Sequence, residues 1–390
     1  MMRSMILLLW LLPGLALAGW QDDVKKLAGA DGVVYVLDEQ GQVLIDLGEG
    51  RDFIPASMLK VVTALLATEY LGLDGRFETW FWVRDGMLVV KGHGDPFLVS
   101  EELDLIAAAL KDKLPGALKG VVVDDSYFAD GIVVPGVGDS DNPYDALNSA
   151  VAVNFNTVNV TVSGGKIVSA EDQTPLTPLA ERVATARGIK GKERINLSQQ
   201  PDDVRRYAAE LIAAKLRAAG VTVGEAYERG TAPATEPLYK HANTRTVSES
   251  VHALLYYSNN YIANQVFLAI GAQEKGAPAT LEKSVAVARE FLAKHPKLAG
   301  ISMTEGSGIS YENRATGPSL AAALAMFAAH KGLMRAKHDV PSKTGTLKVT
   351  KSVAGYLETK EHGTVRFVIS LDGAGSNRRW QIVDALRAGL

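Results

Sequence analysis

Three short stretches of this chain carry side chains whose type and spacing suit nucleophilic chemistry. In Ser57-Met58-Leu59-Lys60 a hydroxyl and an amine stand three residues apart, and on a helix residues i and i+3 share a face. A serine is a weak nucleophile until a base takes its proton. A lysine serves as that base only if desolvation lowers its pKa enough to leave it neutral. The flanking residues predict this. Leu59, Val61, Val62 and Ala64 surround Lys60, the only charged residue between Ser57 and Thr68. Apolar residues fall on every side of the helix read over Ser57 to Ala67, so it belongs inside a domain. A capping serine beside a surface lysine is the ordinary reading of such a pair, but it needs a polar face that this helix lacks. At the helix N-terminus, Ser57 also sits where backbone N–H groups favour developing negative charge.

Ser258-Asn259-Asn260 interrupts a helical run between Tyr257 and Tyr261. Serine and asparagine are ordinary turn residues. They equally supply a second hydroxyl to shuttle a proton and an amide to hold a substrate carbonyl. The third stretch, Lys343-Thr344-Gly345-Thr346, opens a strand after Val340-Pro341. A glycine inside a strand marks close approach of another backbone. A cation and two hydroxyls beside it suit an anionic, extended peptide laid along a sheet edge, although a surface strand with an exposed lysine reads the same way.

The elements that must carry these groups follow from periodicity. Val33–Leu37 and Gln42–Leu47 form a hairpin; Ser342–Val349, Ser352–Glu358 and Val365–Leu371 form three strands at the other end. Helices are expected over Val247–Tyr257, Tyr261–Ile270, Thr280–Ala293 and Ser319–Ala329, and Ser376 caps a last helix, Arg378–Ala388. Two strands from one end and three from the other make one five-stranded sheet. The stretch between reads as a separate α/β unit. It holds a hairpin around Arg84-Asp85-Gly86, a helix Glu101–Leu110, a strand Val121–Val123, one or two strands within Ala150–Val162, and an amphipathic helix Pro201–Ala219. The expected division is residues 19–76 and 241–390 as one domain, with 77–240 inserted.

Composition narrows the function classes. A 47% hydrophobic content excludes a disordered chain, and a formal net charge of −3 argues against a nucleic-acid partner. Without cysteine there are no disulfides, Fe–S clusters, Cys-ligated zinc or thiol nucleophiles. The seven histidines are scattered, Gly92-His93-Gly94-Asp95 is a thin metal signal, and no His-Glu-x-x-His occurs, so neither metal nor cofactor is expected. No Walker, Gly-x-Gly-x-x-Gly or Gly-x-Ser-x-Gly pattern is present; Gly306-Ser307-Gly308 lacks the spacing. Residues 1–18 read as a cleavable signal peptide: Arg3, an apolar run from Met5 to Leu12, the Pro13-Gly14 break, then Ala16-Leu17-Ala18. The run is shorter than the ~20 residues of a membrane span. Export to the periplasm, without a stable membrane span, is the expectation.

Together the three stretches make the Ser-x-x-Lys, Ser-x-Asn, Lys-Thr-Gly combination associated with penicillin-binding proteins and serine β-lactamases. The chain resembles the class C low-molecular-mass penicillin-binding proteins, the D-alanyl-D-alanine carboxypeptidases and endopeptidases of the S13 type. Lys91 to Pro96, Val121 to Phe128, Gly306 to Arg314 and Ala354-Gly355-Tyr356 add to the likeness, which covers nearly all of the chain after Ala18. Asn259 stands where aspartate is usual, and the insertion is short for members that nest a third domain, so that domain is expected to be reduced or absent.

The resemblance implies a serine β-lactamase/transpeptidase-like α/β fold: an antiparallel five-stranded sheet with helices on both faces, a helical subdomain and an inserted α/β domain. It implies hydrolysis of peptidoglycan stem peptides through a covalent acyl-enzyme, with β-lactam antibiotics as covalent inhibitors. Ser57 would be the nucleophile and Lys60 its base. Ser258 and Lys343 would relay a proton to the leaving amine, and Asn260 would hold the substrate amide. Lys343, Thr344 and Thr346 would address a terminal carboxylate beside Gly345, and the N–H groups of Ser57 and Thr346 would form the oxyanion hole. Asp124 would read the amino end of the diamino acid. Two alternatives share the scaffold, a β-lactamase and a non-catalytic murein-binding protein. The class A deacylation element Glu-x-x-x-Asn is missing, because Tyr144 precedes Asn148 by four. The full catalytic set argues against the second.

Overall fold

The computed structural model describes residues 19–138, 140, 142–373 and 378–390; the expected leader and Ser376 lie outside the described residues. The two chain ends meet in one antiparallel sheet. Val33–Leu37 pairs with Val43–Leu47 on one side and with Thr364–Asp372 on the other. Beyond Thr364–Asp372 come Thr350–Glu358, Val340–Thr346 and Arg335–Lys337. The sheet therefore has six strands, not the five expected. The additional edge strand is three exposed residues, Arg335-Ala336-Lys337, with no apolar alternation to betray it. His338 and Asp339, at φ 51° and 62°, fold it back onto Val340–Ser342. A short charged edge blunts the sheet against further pairing.

Both faces of this sheet are covered. Val34, Val36, Phe367 and Ile369 pack against helices Trp20–Ala28 and Arg379–Gly389. Val33, Tyr35, Ala354, Tyr356 and Val368 join the larger core, built on helices Lys60–Tyr70, Val247–Tyr256, Asn260–Lys275, Leu281–Lys294 and Gly317–Phe327. Burial on both faces explains why the strands read as nearly continuous apolar runs. Lys60–Tyr70 is the axis of this core, with every residue from Lys60 to Ala67 buried. A single tighter 3-10 turn, Ala56–Leu59, leads into it and carries Ser57.

Residues 78–242 build a second sheet in the order Val223–Arg229, Leu118–Asp124, Met87–Gly92, Glu78–Arg84, Tyr239–Ala242. Helices Ser100–Lys111 and Pro201–Ala218 share a core with Phe81, Leu88, Val90, Val121 and Val123 on this sheet. A three-stranded sheet, Lys166–Ser169, Thr157–Ser163 and Glu193–Asn196, lies within the same stretch. Of the strands expected over Ala150–Val162, only the part from Thr157 forms. Asn154, Phe155 and Asn156 are left-handed at φ 48°, 58° and 55°, a conformation no strand accommodates. Among the described residues no helix is long and apolar enough to cross a membrane.

Candidate active site

Lys60 has no exposed surface, and its amine has three neighbours. Nζ lies 2.9 Å from Ser57 Oγ, 2.7 Å from Asn260 Oδ1 and 2.6 Å from the Ser307 carbonyl oxygen. Two of these oxygens only accept, whereas the serine hydroxyl both donates and accepts. An ammonium would donate to all three oxygens, as Nζ does here to Ser57 Oγ; a neutral amine would keep the bonds to Asn260 and Ser307 and turn its lone pair to Ser57 Oγ–H. Burial drives the Lys60 pKa well below the ordinary amine range; the charge of Lys343 adds to that effect and the carboxylate of Glu305 opposes it. The 2.9 Å approach to Ser57 Oγ and the lowered pKa together suit a base for the Ser57 proton.

The second stretch is the bend between helices Val247–Tyr256 and Asn260–Lys275. Ser258 is held at φ 56°, a strained value for a residue with a side chain. Asn259 caps the second helix, its Oδ1 accepting from Ile262 N–H at 2.9 Å; aspartate and asparagine serve equally there, which accounts for the departure from the family pattern. Asn260 opens the helix and reaches Lys60. Lys343 is buried, not exposed, and donates to Ser258 Oγ and to the Thr344 carbonyl, each at 2.7 Å. Desolvation and then the charge of Arg379 bring its pKa down to about 7.

Two glycines allow these pieces to touch. A β-carbon on Gly345 would overlap Ser352 Oγ and stand 2.8 Å from both Ala56 Cβ and Pro55 O. Ser352 Oγ–H in turn donates to Pro55 O at 3.1 Å, tying the sheet to the turn that carries Ser57. On the other side a β-carbon on Gly308, at φ 80°, would overlap the Ala56 carbonyl oxygen. Ala56 itself is left-handed at φ 49°.

The sites read from the sequence thus converge in two contact groups, Ser57–Lys60–Asn260 and Ser258–Lys343. All of them but the buried Lys60 border a cleft with two lobes that share Tyr257 and Ser258. One lobe, about 400 Å³, is lined by Ser57, Asn260, Phe155, Tyr144 and Arg194; the other, about 420 Å³, by Lys343, Thr344, Arg379, Arg335 and Lys337. Thr346 reaches the second group through Arg379 Nη1, 3.4 Å from its Oγ1. Asp124 does not join them. It is buried, accepts from Ser126 and Ala232 N–H at 3.0 and 2.7 Å, and borders neither lobe. It caps a strand end.

Sequence reasoning missed three groups. Phe155 enters the first lobe from the left-handed turn, where Asn154 and Asn156, the residue type that tolerates that region, were the available signal. Glu305 is fully buried beneath the Ser307 loop. Arg379 lies far along the chain from the strand it touches, and nothing local marks it.

A buried serine–lysine pair beside a sheet edge bearing Lys-Thr-Gly, on this α/β architecture, is the arrangement of the penicillin-binding and β-lactamase class. Residues 16–336 match the D-Ala-D-Ala carboxypeptidase 3 (S13) family. The chain belongs to that family. It is 26% identical over 344 residues to a D-alanyl-D-alanine carboxypeptidase of Actinomadura sp. (strain R39), a match covering 76% of this chain and 64% of the relative, or slightly under two thirds of that protein's length. It is 23% identical over 432 residues to the D-alanyl-D-alanine carboxypeptidase DacB of Haemophilus influenzae, covering 93% and 90%. The crystal structure of penicillin-binding protein 4 from H. influenzae superimposes with a TM-score of 0.71 at 19% identity, covering 90% of this chain and 92% of that one. A predatory peptidoglycan endopeptidase of Bdellovibrio bacteriovorus shares the fold more distantly, with a TM-score of 0.51 at 16% identity, covering 91% and 89%.

Proposed function

We propose that this chain is an exported serine D-Ala-D-Ala carboxypeptidase, with endopeptidase activity on cross-linked stem peptides, and that residues 77–240 form an inserted domain bordering its cleft. The observation that carries the reading is the amine of Lys60, desolvated and 2.9 Å from Ser57 Oγ. Ser57 Oγ attacks the carbonyl carbon between two D-alanines while its proton passes to Lys60 Nζ. The backbone N–H groups of Ser57 and Thr346 hold the resulting oxyanion, a role supported by the contact of Gly345 with the Ser57 turn. Pre-aimed donors of this kind are worth ~3–4 kcal/mol in the transition state.

The C–N bond then breaks. The leaving amine takes a proton from Ser258, which Lys343 replenishes, and an ester to Ser57 remains. Asn260 keeps its Oδ1 on Lys60 and turns its amide N–H toward the substrate carbonyl. The proton that Lys60 took from Ser57 passes on to refill the Ser258–Lys343 pair, leaving Lys60 neutral. Water then attacks the ester and gives its proton to Lys60, and the ester C–O bond breaks as Lys60 returns that proton to Ser57 Oγ and the peptide leaves. A β-lactam enters the first half of this sequence, its ring amide opened by Ser57. Action on peptidoglycan requires the chain outside the cytoplasm, consistent with the leader read from residues 1–18.

Labelling with a fluorescent penicillin, followed by peptide mapping, tests the reading. The label is expected on Ser57 and is expected to disappear in Ser57→Ala. A label on another residue, or rapid turnover of the penicillin without accumulation, would overturn it. Release of D-alanine from a pentapeptide, set against cleavage of a cross-linked dimer, apportions the two activities.

A further inference from the structure

The two donors of the oxyanion hole sit on different elements. Ser57 N–H belongs to the turn Ala56–Leu59, and Thr346 N–H ends the strand Val340–Thr346. Such a hole works only when both donors stand about 3 Å from one oxygen. The turn must therefore be fixed against the strand. The neighbouring strand, Thr350–Glu358, supplies a buried hydroxyl at that point. Ser352 pairs in register with Gly345, has no exposed surface, and donates through Oγ–H to Pro55 O at 3.1 Å.

Gly345 makes this possible. Ser352 Oγ occupies the place of the side chain that Gly345 lacks, and Pro55 O and Ala56 Cβ lie against the same spot. Arg379 Nη1 donates to Ser352 O at 3.0 Å and to Gly345 O at 2.7 Å, so one guanidinium pins both members of the pair. Gly308 closes on Ala56 from the other side. The turn is wedged between that loop and the strand pair, and the serine hydroxyl ties it to the strands.

Pro55 O does not need this hydroxyl to be satisfied, because it also accepts from Met58 N–H at 3.3 Å. Removing the hydroxyl leaves no buried acceptor without a partner, which is the costly case for stability. What it removes is the tie.

We propose that Ser352 is a positioning residue for acyl transfer: its hydroxyl holds the nucleophile turn at the separation from the Lys-Thr-Gly strand that lets Ser57 N–H and Thr346 N–H address one oxygen. The inference rests on the acyl-transfer reading of Ser57 and adds the group that sets the width of its oxyanion hole.

The test compares an acyl-D-alanyl ester with its thionoester, in which the attacked C=O is C=S. Sulfur is larger and accepts hydrogen bonds poorly, so the ratio of kcat/KM for the two reads the hole. The wild type is expected to prefer the ester. Ser352→Ala should lower kcat/KM for the ester by about 10- to 100-fold, mainly through kcat, and affect the thionoester much less. Ser352→Cys, which fills the site with a weak donor, should fall between. A merely structural role would lower both substrates together and keep the ratio. A wild-type ratio in Ser352→Ala, or in Ser352→Cys should the alanine variant not fold, overturns the proposal. Equal use of the two esters by the wild type overturns it without any variant. Failures separate cleanly: penicillin labelling of Ser57 with an unmoved ratio sinks only the role of Ser352, whereas a wild type that is not labelled at Ser57 sinks the acyl-transfer reading as well.

Discussion

Glu305 holds Ser307 twice: one carboxylate oxygen accepts from both Ser307 N–H and Ser307 Oγ–H, each at 2.6 Å. The other oxygen accepts from Gly308 N–H at 2.6 Å and Asn313 Nδ2–H at 2.8 Å. The loop is thereby fixed with the Ser307 carbonyl on Lys60 Nζ. Glutamine at this position would turn an N–H₂ toward one set of donors, leaving buried N–H groups unsatisfied at about 1–3 kcal/mol. Glu305→Gln is therefore expected to lower the melting temperature and slow acylation by penicillin. Because the Glu305 charge raises the pKa of Lys60, its removal should also move the acid limb of kcat/KM to lower pH. A variant with wild-type acylation rate and an unmoved acid limb would remove Glu305 from the account.

The proposed mechanism gives the wild-type pH profile two limbs of opposite sign. Lys60 acts when neutral, so activity rises as it loses its proton. Lys343 acts as a cation, with a pKa near 7 in the free protein, so kcat/KM falls as pH climbs through that value. The two amines interact, and the limbs report apparent values of the pair. Removing the Arg379 charge lets the Lys343 pKa rise, so Arg379→Gln should carry the alkaline limb to higher pH. Stopped-flow acylation between pH 5 and 9 reads this directly, and an alkaline limb that stays put would contradict the coupling.

Gly345→Ala should inactivate the protein without unfolding it. The new β-carbon overlaps Ser352 Oγ and crowds Pro55 O and Ala56 Cβ. Overpacking costs about 1–3 kcal/mol. The turn bearing Ser57 must retreat from the sheet edge, and a displacement of ~1 Å at a reacting centre costs about 100-fold in rate. Penicillin acylation and a thermal melt, measured on the same sample, separate the two effects. Undiminished acylation would show that strand and turn need not touch.

Much of this site was legible because its chemistry contradicts its surroundings. Lys60 was conspicuous as one charge in an apolar helix, and Gly345 as a glycine inside a strand. The hairpin Val33–Leu37 and the three late strands declared themselves by length and apolar content, which is why the meeting of the chain ends could be read. What stayed hidden had no local signature. Arg335–Lys337 is a strand only because a turn at His338 and Asp339 presents it to its neighbour. Glu305 looks like any charged loop residue until the loop closes over it. Trp20–Ala28 follows the expected leader directly, and its apolar stripe of Trp20, Val24, Leu27 and Ala28 gains meaning only against Arg379–Gly389.

Asp95 predicts a pH dependence of stability at the seam between the two sheets. It is buried and accepts from Asn243 Nδ2–H at 2.7 Å and Phe97 N–H at 2.8 Å. Asn243 N–H also donates to Phe77 O at 2.9 Å, where the chain crosses out of the first unit. Burial pushes the Asp95 carboxyl up from 3.8 to about 6, against the pull of both hydrogen bonds. The native state therefore keeps this proton after the unfolded chain has lost it. Between about pH 4 and pH 6 the folded form binds more protons, so stability from this group falls as pH rises and levels off above 6. The change is on the order of 3 kcal/mol. Urea midpoints of wild type and Asp95→Asn from pH 4.5 to 7.5 isolate it, since the other carboxylates are common to both. The wild-type curve should fall relative to that of Asp95→Asn between pH 4.5 and about 6 and run parallel to it above, because only the wild type carries this titrating carboxyl. Parallel curves across the range would mean that Asp95 ionises as it does in the unfolded chain.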